Sequence, residues 1–105
     1  MQVYLAAMRS AVEKGRIEWR KHTLQRLAER LIQQKDVLQI LSLGEAIRFY
    51  DTDRPFPSIL MFGWINGRPL HTVAAYDKKS DTVYIITVYE PSLDVFEADF
   101  KTKKQ

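Results

Sequence analysis

The chain has no cysteine among its 105 residues, which excludes disulfides and any thiolate metal site. Only two histidines are present, His22 and His71, too few for a structural zinc site of the usual kind. Long apolar runs are also missing. The stretch ILMFGWI ends in a polar turn after seven residues, far short of the roughly 20 that cross a bilayer. The opening residues MQVYLAAMRSAVEKG lack the charged start, long apolar stretch and small-residue cleavage site of a secretory leader. A cytoplasmic protein without a membrane partner is the simplest expectation, and nothing calls for a cofactor. Glycine and proline number four each, so they act as local punctuation. No internal repeat or low-complexity tract occurs.

What is present is an ordinary globular balance, 46% apolar and 28% charged, which fits one domain over residues 1–105. The charge is unevenly placed. From Lys14 to Lys35 seven basic residues face two acidic ones, whereas from Asp36 to Phe100 five basic residues face ten acidic ones. Positive charge returns in Lys101, Lys103 and Lys104. A local basic field of this kind favours a polyanion, and it equally suits an acidic protein.

The hydrophobic pattern reads as helices first, over residues 3–43, then a sheet over 45–90 and a tail over 91–105. Val3 to Lys14 carries Val3, Ala6, Ala7, Met8, Ala11 and Val12 at helical spacing and stops at Gly15. Arg16 to Trp19 is a short extended piece. His22 to about Ile32 forms a second helix with Leu24, Leu27, Ala28 and Leu31 inward. Lys35 to Leu43 forms a third, with Val37, Leu38, Ile40 and Leu41 inward and Gly44 as its stop. Strands follow at Ala46–Tyr50, Ile59–Ile65, Leu70–Tyr76 and Thr82–Tyr89. Two prolines exclude regular pairing in DTDRPFPS, and Asn66-Gly67 is a hairpin signal. EPSLDVFEADF reads as a short terminal helix with Phe96 and Phe100 inward. The expected fold is α+β, two or three helices packed on a four-stranded antiparallel sheet. Ile59–Ile65 is expected near the sheet centre, with Phe62 and Trp64 packed under the helices.

His22, Arg26 and Arg30 recur every four residues and so line one side of the second helix. Histidine moves protons near neutral pH, and arginine forks two donors onto a phosphate. The same stripe also describes an ordinary solvated helix face.

The series KHTLQRLAER, GEAIRFY, PFPSILMFGWINGRPLHTVAAYD and ITVYEP resembles the bacterial domain-of-unknown-function family 4258 over nearly the whole chain. That resemblance implies a branch of the RelE-like ribonuclease-toxin superfamily, acting on mRNA, on or off the ribosome. It also implies a cognate antitoxin, in some cases of a zinc-finger and DNA-binding type. Residue by residue it points to His22, Arg26, His71, Thr87 and Tyr89, with Arg30 next along the helix. One departure stands out. Leu31 and Gln33 occupy positions where the family usually has glycine and then serine or threonine, which weakens the break between the second and third helices.

Metal-free RNA cleavage needs a base for the 2′-hydroxyl, an acid for the departing 5′-oxygen, and cations for the phosphorane charge. His22, Arg26, His71 and Tyr89 are the catalytic candidates. Arg16, Arg20, Lys21, Arg30 and Thr87 are the RNA-binding ones. Plainer readings stand beside these. His71 alternates with Val73 and Ala75, as a hydrogen-bonded sheet-face histidine would, and Tyr89 shares the simple alternation of Val83, Ile85 and Thr87 at a core edge. Two other functions fit the same residues: a non-catalytic module that binds RNA or protein through the basic helix, and a structural partner that pairs through a sheet edge.

Overall fold

The first helix, α1 (Gln2–Glu13), buries Tyr4, Leu5, Met8, Ala11 and Val12, the i, i+4, i+7 spacing of one helical face. Val3 and Ala6 are exposed, so this face is rotated from the one expected. A computed structural model describes residues Met1–Gln105. After α1 come β1 (Ile17–Trp19), α2 (Lys21–Glu29), α3 (Gln34–Leu43), β2 (Glu45–Tyr50), β3 (Ser58–Ile65), β4 (Arg68–Asp77) and β5 (Thr82–Tyr89). None of the helices is long and apolar enough to cross a membrane.

The strands form one five-stranded sheet in the order β1-β5-β4-β3-β2. The short extended piece after Gly15 is therefore a fifth strand, and it pairs parallel to β5 through Ile17–Val83 and Trp19–Ile85. The other pairings are antiparallel. This corrects the expectation of four strands, since three residues beside a glycine carry almost no periodic signal. The middle strand is β4, with β3 beside it.

One sheet face meets the helices. Ile59, Met61, Leu70, Ala74, Tyr76, Val83, Ile85 and Val88 pack there against Met8, Leu27, Val37, Ile40 and Leu41. Two bulges control which residues reach it. Ile47 is skipped in the β2–β3 register and Ile86 in the β4–β5 register. The bulge at Ile86 shifts the alternation, so Val83 and Ile85 share a face with Val88, not with Thr87 and Tyr89. The expected grouping of Tyr89 with Val83 and Ile85 fails for that reason.

The helix ends are set by particular residues. Leu31 has φ 56°, the left-handed conformation that glycine usually supplies, and it stops α2 abruptly. The Asp36 carboxylate accepts the Gln33 N–H at 3.0 Å and starts α3 afresh. The break is thus sharp, not weak, and α2 is shorter than expected. Leu31 is 85% exposed, Leu24 is 37% exposed and Ala28 is exposed too, so Thr23 and Leu27 anchor α2 instead. Arg9 donates to the carbonyls of Leu41 and Gly44 and closes the far end of α3. At Gly44 a Cβ would meet the Ile40 and Phe62 carbonyl oxygens at 2.5 and 2.7 Å, so glycine is required there for close approach.

Beyond β5 no terminal helix forms. Residues 92–104 fold into a strap of turns closed by a Phe96–Lys103 bridge. Pro91 and the Asp99 carboxylate, which accepts the N–H groups of Lys101 and Thr102, favour turns over helix here. The strap lies across the sheet face opposite the helices. Phe62 and Trp64 sit on that face, so they pack under the strap and not under the helices.

Candidate functional site

The sheet face under the strap collects polar and aromatic groups from four strands. Cross-strand partners share a face, so Phe62, His71 and Tyr89 lie in one row and Leu60, Val73 and Thr87 in the next. The bulge at Ile47 turns Arg48 and Tyr50 onto the same face. Arg48 donates to the Lys101 carbonyl at 3.1 Å, and Lys101 pairs with Glu45 at 3.3 Å, so both tie the strap to β2.

His71 is fully buried beneath this cover. Its Nε2 lies 2.7 Å from the Phe100 carbonyl and its Nδ1 lies 3.1 Å from the Tyr89 hydroxyl. A carbonyl can only accept, so Nε2 carries the proton and the Tyr89 hydroxyl donates to Nδ1. The rings of Phe96 and Phe62 meet the imidazole edge to face, with centroids 4.8 and 5.6 Å away. Burial depresses the His71 pKa below 6.5; the bond to Phe100 opposes this and the Arg48 charge adds to it. Tyr89 is pushed above the usual tyrosine value, first by burial, then by Tyr50, with Arg48 acting in the other direction.

The basic helix is a separate feature. Lys21, His22 and Arg26 are exposed, and Arg26 pairs with Glu29 at 3.1 Å, a weak surface contact. The underside of α2 runs along β5 from Ile85, the last residue paired with β1, to Val88 beyond it. Thr23 donates to the Ile85 carbonyl there, and Arg30 donates to the Val88 carbonyl. Arg30 is therefore partly spent on sheet-edge backbone, while His22 and Arg26 face outward. Arg68 closes the helix end by donating to the Arg30 carbonyl at 2.8 Å and the Leu31 carbonyl at 3.1 Å, with Glu90 at 2.6 Å.

The candidates thus fall into groups. His71, Tyr89 and Thr87 come together on the strap face, and Lys21, His22 and Arg26 share the exposed side of α2. Arg20 lines a cavity beside β5, and Arg16 turns to Asp81 at 3.7 Å. No hydrogen bond or ion pair joins the helix group to the strap-face group. Arg48 and Tyr50 were not singled out from sequence, although a charged residue inside the strand-like run GEAIRFY was the available signal. No cluster of three His, Asp or Glu side chains is arranged to hold a metal ion.

A family model described as a domain of unknown function, DUF4258, matches residues 19–90, from the end of β1 through β5. The chain belongs to that family. No curated protein and no solved structure matches it.

Proposed function

We propose, with membership of the DUF4258 family as the premise, that this protein is a toxin-type endoribonuclease of the RelE-like superfamily. It cuts mRNA without a metal ion and is restrained by a cognate antitoxin. The observation that carries the reading is the state of α2. Thr23 and Leu27 do its packing, and Lys21, His22 and Arg26 are left exposed to a polyanion. His22 exchanges the proton of the 2′-hydroxyl or of the leaving 5′-oxygen, a role worth about 10²- to 10⁴-fold in rate. Arg26, beside His22 on the exposed side of α2, neutralises charge on the phosphate. His71, buried and saturated, acts through Tyr89 by fixing the direction of its hydroxyl.

A non-catalytic RNA-binding module is the second reading. It is favoured by the burial of His71, whose two ring nitrogens already have partners in the fold. Tightly induced expression of the wild type, His22→Ala and Arg26→Ala separates the two, with growth, folded protein and RNA 5′-ends followed together. Arrest and new 5′-ends from the wild type alone, unchanged by EDTA in a purified assay, are expected. Normal growth and intact RNA at equal folded protein would overturn the toxin reading. RNA binding without cleavage would then leave the module.

A further inference from the structure

Between the 51–57 loop and β5 lies a cavity of about 220 Å³, lined by Arg20, Asp53, Arg54, Phe56, Tyr84 and Ile86 over a floor at Ala75. It opens on the side of the sheet away from the helices, since Tyr84 pairs with Ala75 in the row that Ser58 completes. Phe56 and Tyr84 are stacked, with centroids 5.6 Å apart and planes 11° from parallel. Their outer faces and edges are aromatic surface of the kind on which unpaired bases stack. The bulge at Ile86 aims a half-exposed isoleucine at the same opening.

Charge at this mouth is available for a ligand. Arg20 and Arg54 form no ion pair. Arg54 is held in place by the carbonyls of Thr52 and Asp53, at 3.0 and 3.1 Å, which leaves the rest of its guanidinium outward. The Asp53 carboxylate accepts the Ser58 hydroxyl at 2.6 Å. Its remaining lone pairs can take N–H donors from a base. The volume is below the roughly 300–1,000 Å³ of ordinary small-molecule pockets. It suits one planar base, with the sugar and phosphate left at the mouth beside the arginines.

We infer that this cavity is a nucleotide subsite for single-stranded RNA, with the base against Phe56 and Tyr84 and the phosphate held by Arg20 and Arg54. Asp53 selects a base that offers two adjacent N–H donors, which is guanine; uracil offers one. This subsite rests on the reading of the protein as RNA-directed, whether or not it cleaves.

The test uses the full chain and two 5′-fluorescein RNA octamers, UUUUUUUU and UUUGUUUU, read by fluorescence anisotropy. The guanine octamer is expected to bind about tenfold more tightly, within the range of base–aromatic stacking effects. Phe56→Ala and Arg54→Ala should each weaken binding of both octamers, and Asp53→Asn should remove the preference while keeping uridine binding. Arg54 is exposed and serves as the variant least able to disturb folding, which urea unfolding monitors. Equal binding of the two octamers, unaffected by Phe56→Ala and Arg54→Ala but weakened by Arg26→Ala, would overturn the subsite and leave the RNA reading standing. Binding of neither octamer by the folded wild type would overturn both.

Discussion

His71 Nε2 lies 2.7 Å from the carbonyl oxygen of Phe100, so a buried imidazole joins the middle strand of the sheet to the C-terminal strap. This bond fixes the neutral imidazole in one tautomer, with the proton on Nε2 and the Tyr89 hydroxyl on Nδ1. The folded pKa is below 6.5, so below that value the unfolded chain binds a proton that the folded chain refuses. Stability from this group is complete above about pH 6.5 and is lost as pH falls toward the folded pKa. The urea midpoint should therefore drop between about pH 7.5 and 5.5, and His71→Gln should flatten that drop. An Nδ1–H tautomer in imidazole ¹⁵N spectra would contradict the arrangement directly.

Leu31 holds φ 56° while 85% of its surface stays in water. A β-carbon in that conformation costs about 1–2 kcal/mol, and almost no packing is recovered in exchange. Glycine removes the strain and adds some unfolded-state entropy. Leu31→Gly is expected to raise stability by about 0.5–1 kcal/mol, measured by urea unfolding. Leu31→Ala keeps the Cβ and should show no comparable gain. A loss of stability in Leu31→Gly would mean that the leucine side chain makes contacts that its exposure conceals.

Leu31 also marks where the sequence was readable and where it was not. The break between α2 and α3 is carried by backbone geometry at a residue whose side chain gives no sign of it. The hairpin at Asn66-Gly67, by contrast, was legible because both residues have positive φ and their types announce it. Two of the three antiparallel pairings followed from tight turns, at Asn66-Gly67 and at Lys78–Asp81. Single skipped residues at Ile47 and Ile86 were invisible, since a bulge leaves composition unchanged, and they decide which side chains face the strap. The site was legible in part. His71 and Tyr89 are register partners, whereas Arg48 reaches them only through the Ile47 bulge, and the strap that covers them has no periodic pattern to read.

Arg68 gathers three acceptors at the end of α2: the Arg30 and Leu31 carbonyls and the Glu90 carboxylate. The Arg30 carbonyl is the C-cap of α2, with no intrahelical donor, and the Leu31 carbonyl follows it directly, so a cation is favoured there. Arg68→Ala is expected to cost about 1–2 kcal/mol in urea unfolding. Arg68→Lys should restore only part of this, because one ammonium cannot match a planar fork of donors. Glu90→Gln tests the remaining arm; half of its side chain is exposed, so the change should be well under that of Arg68→Ala. Equal losses in the two would show that the ion pair, and not the helix end, carries the stability.

Arg26 and Arg30 sit four residues apart on one helix but meet different partners, which gives RNA binding a direct test. Arg26 faces Glu29 across an exposed pair that contributes about 0–1 kcal/mol, so a phosphate can displace the carboxylate with little loss. Arg30 already donates to the Val88 carbonyl at the edge of β5. Each phosphate contact on a single strand adds roughly 0.7 to the slope of log K against log salt. Arg26→Ala should weaken binding of an RNA octamer and lower that slope by about 0.7. Arg30→Ala should lower the urea midpoint and leave the slope nearly unchanged. His22→Ala should alter neither slope nor affinity even where it abolishes cleavage. If Arg30→Ala lowered the slope as much as Arg26→Ala, the bond to Val88 would have to open on binding. The RNA would then reach the edge of β5, not the outer side of α2 alone.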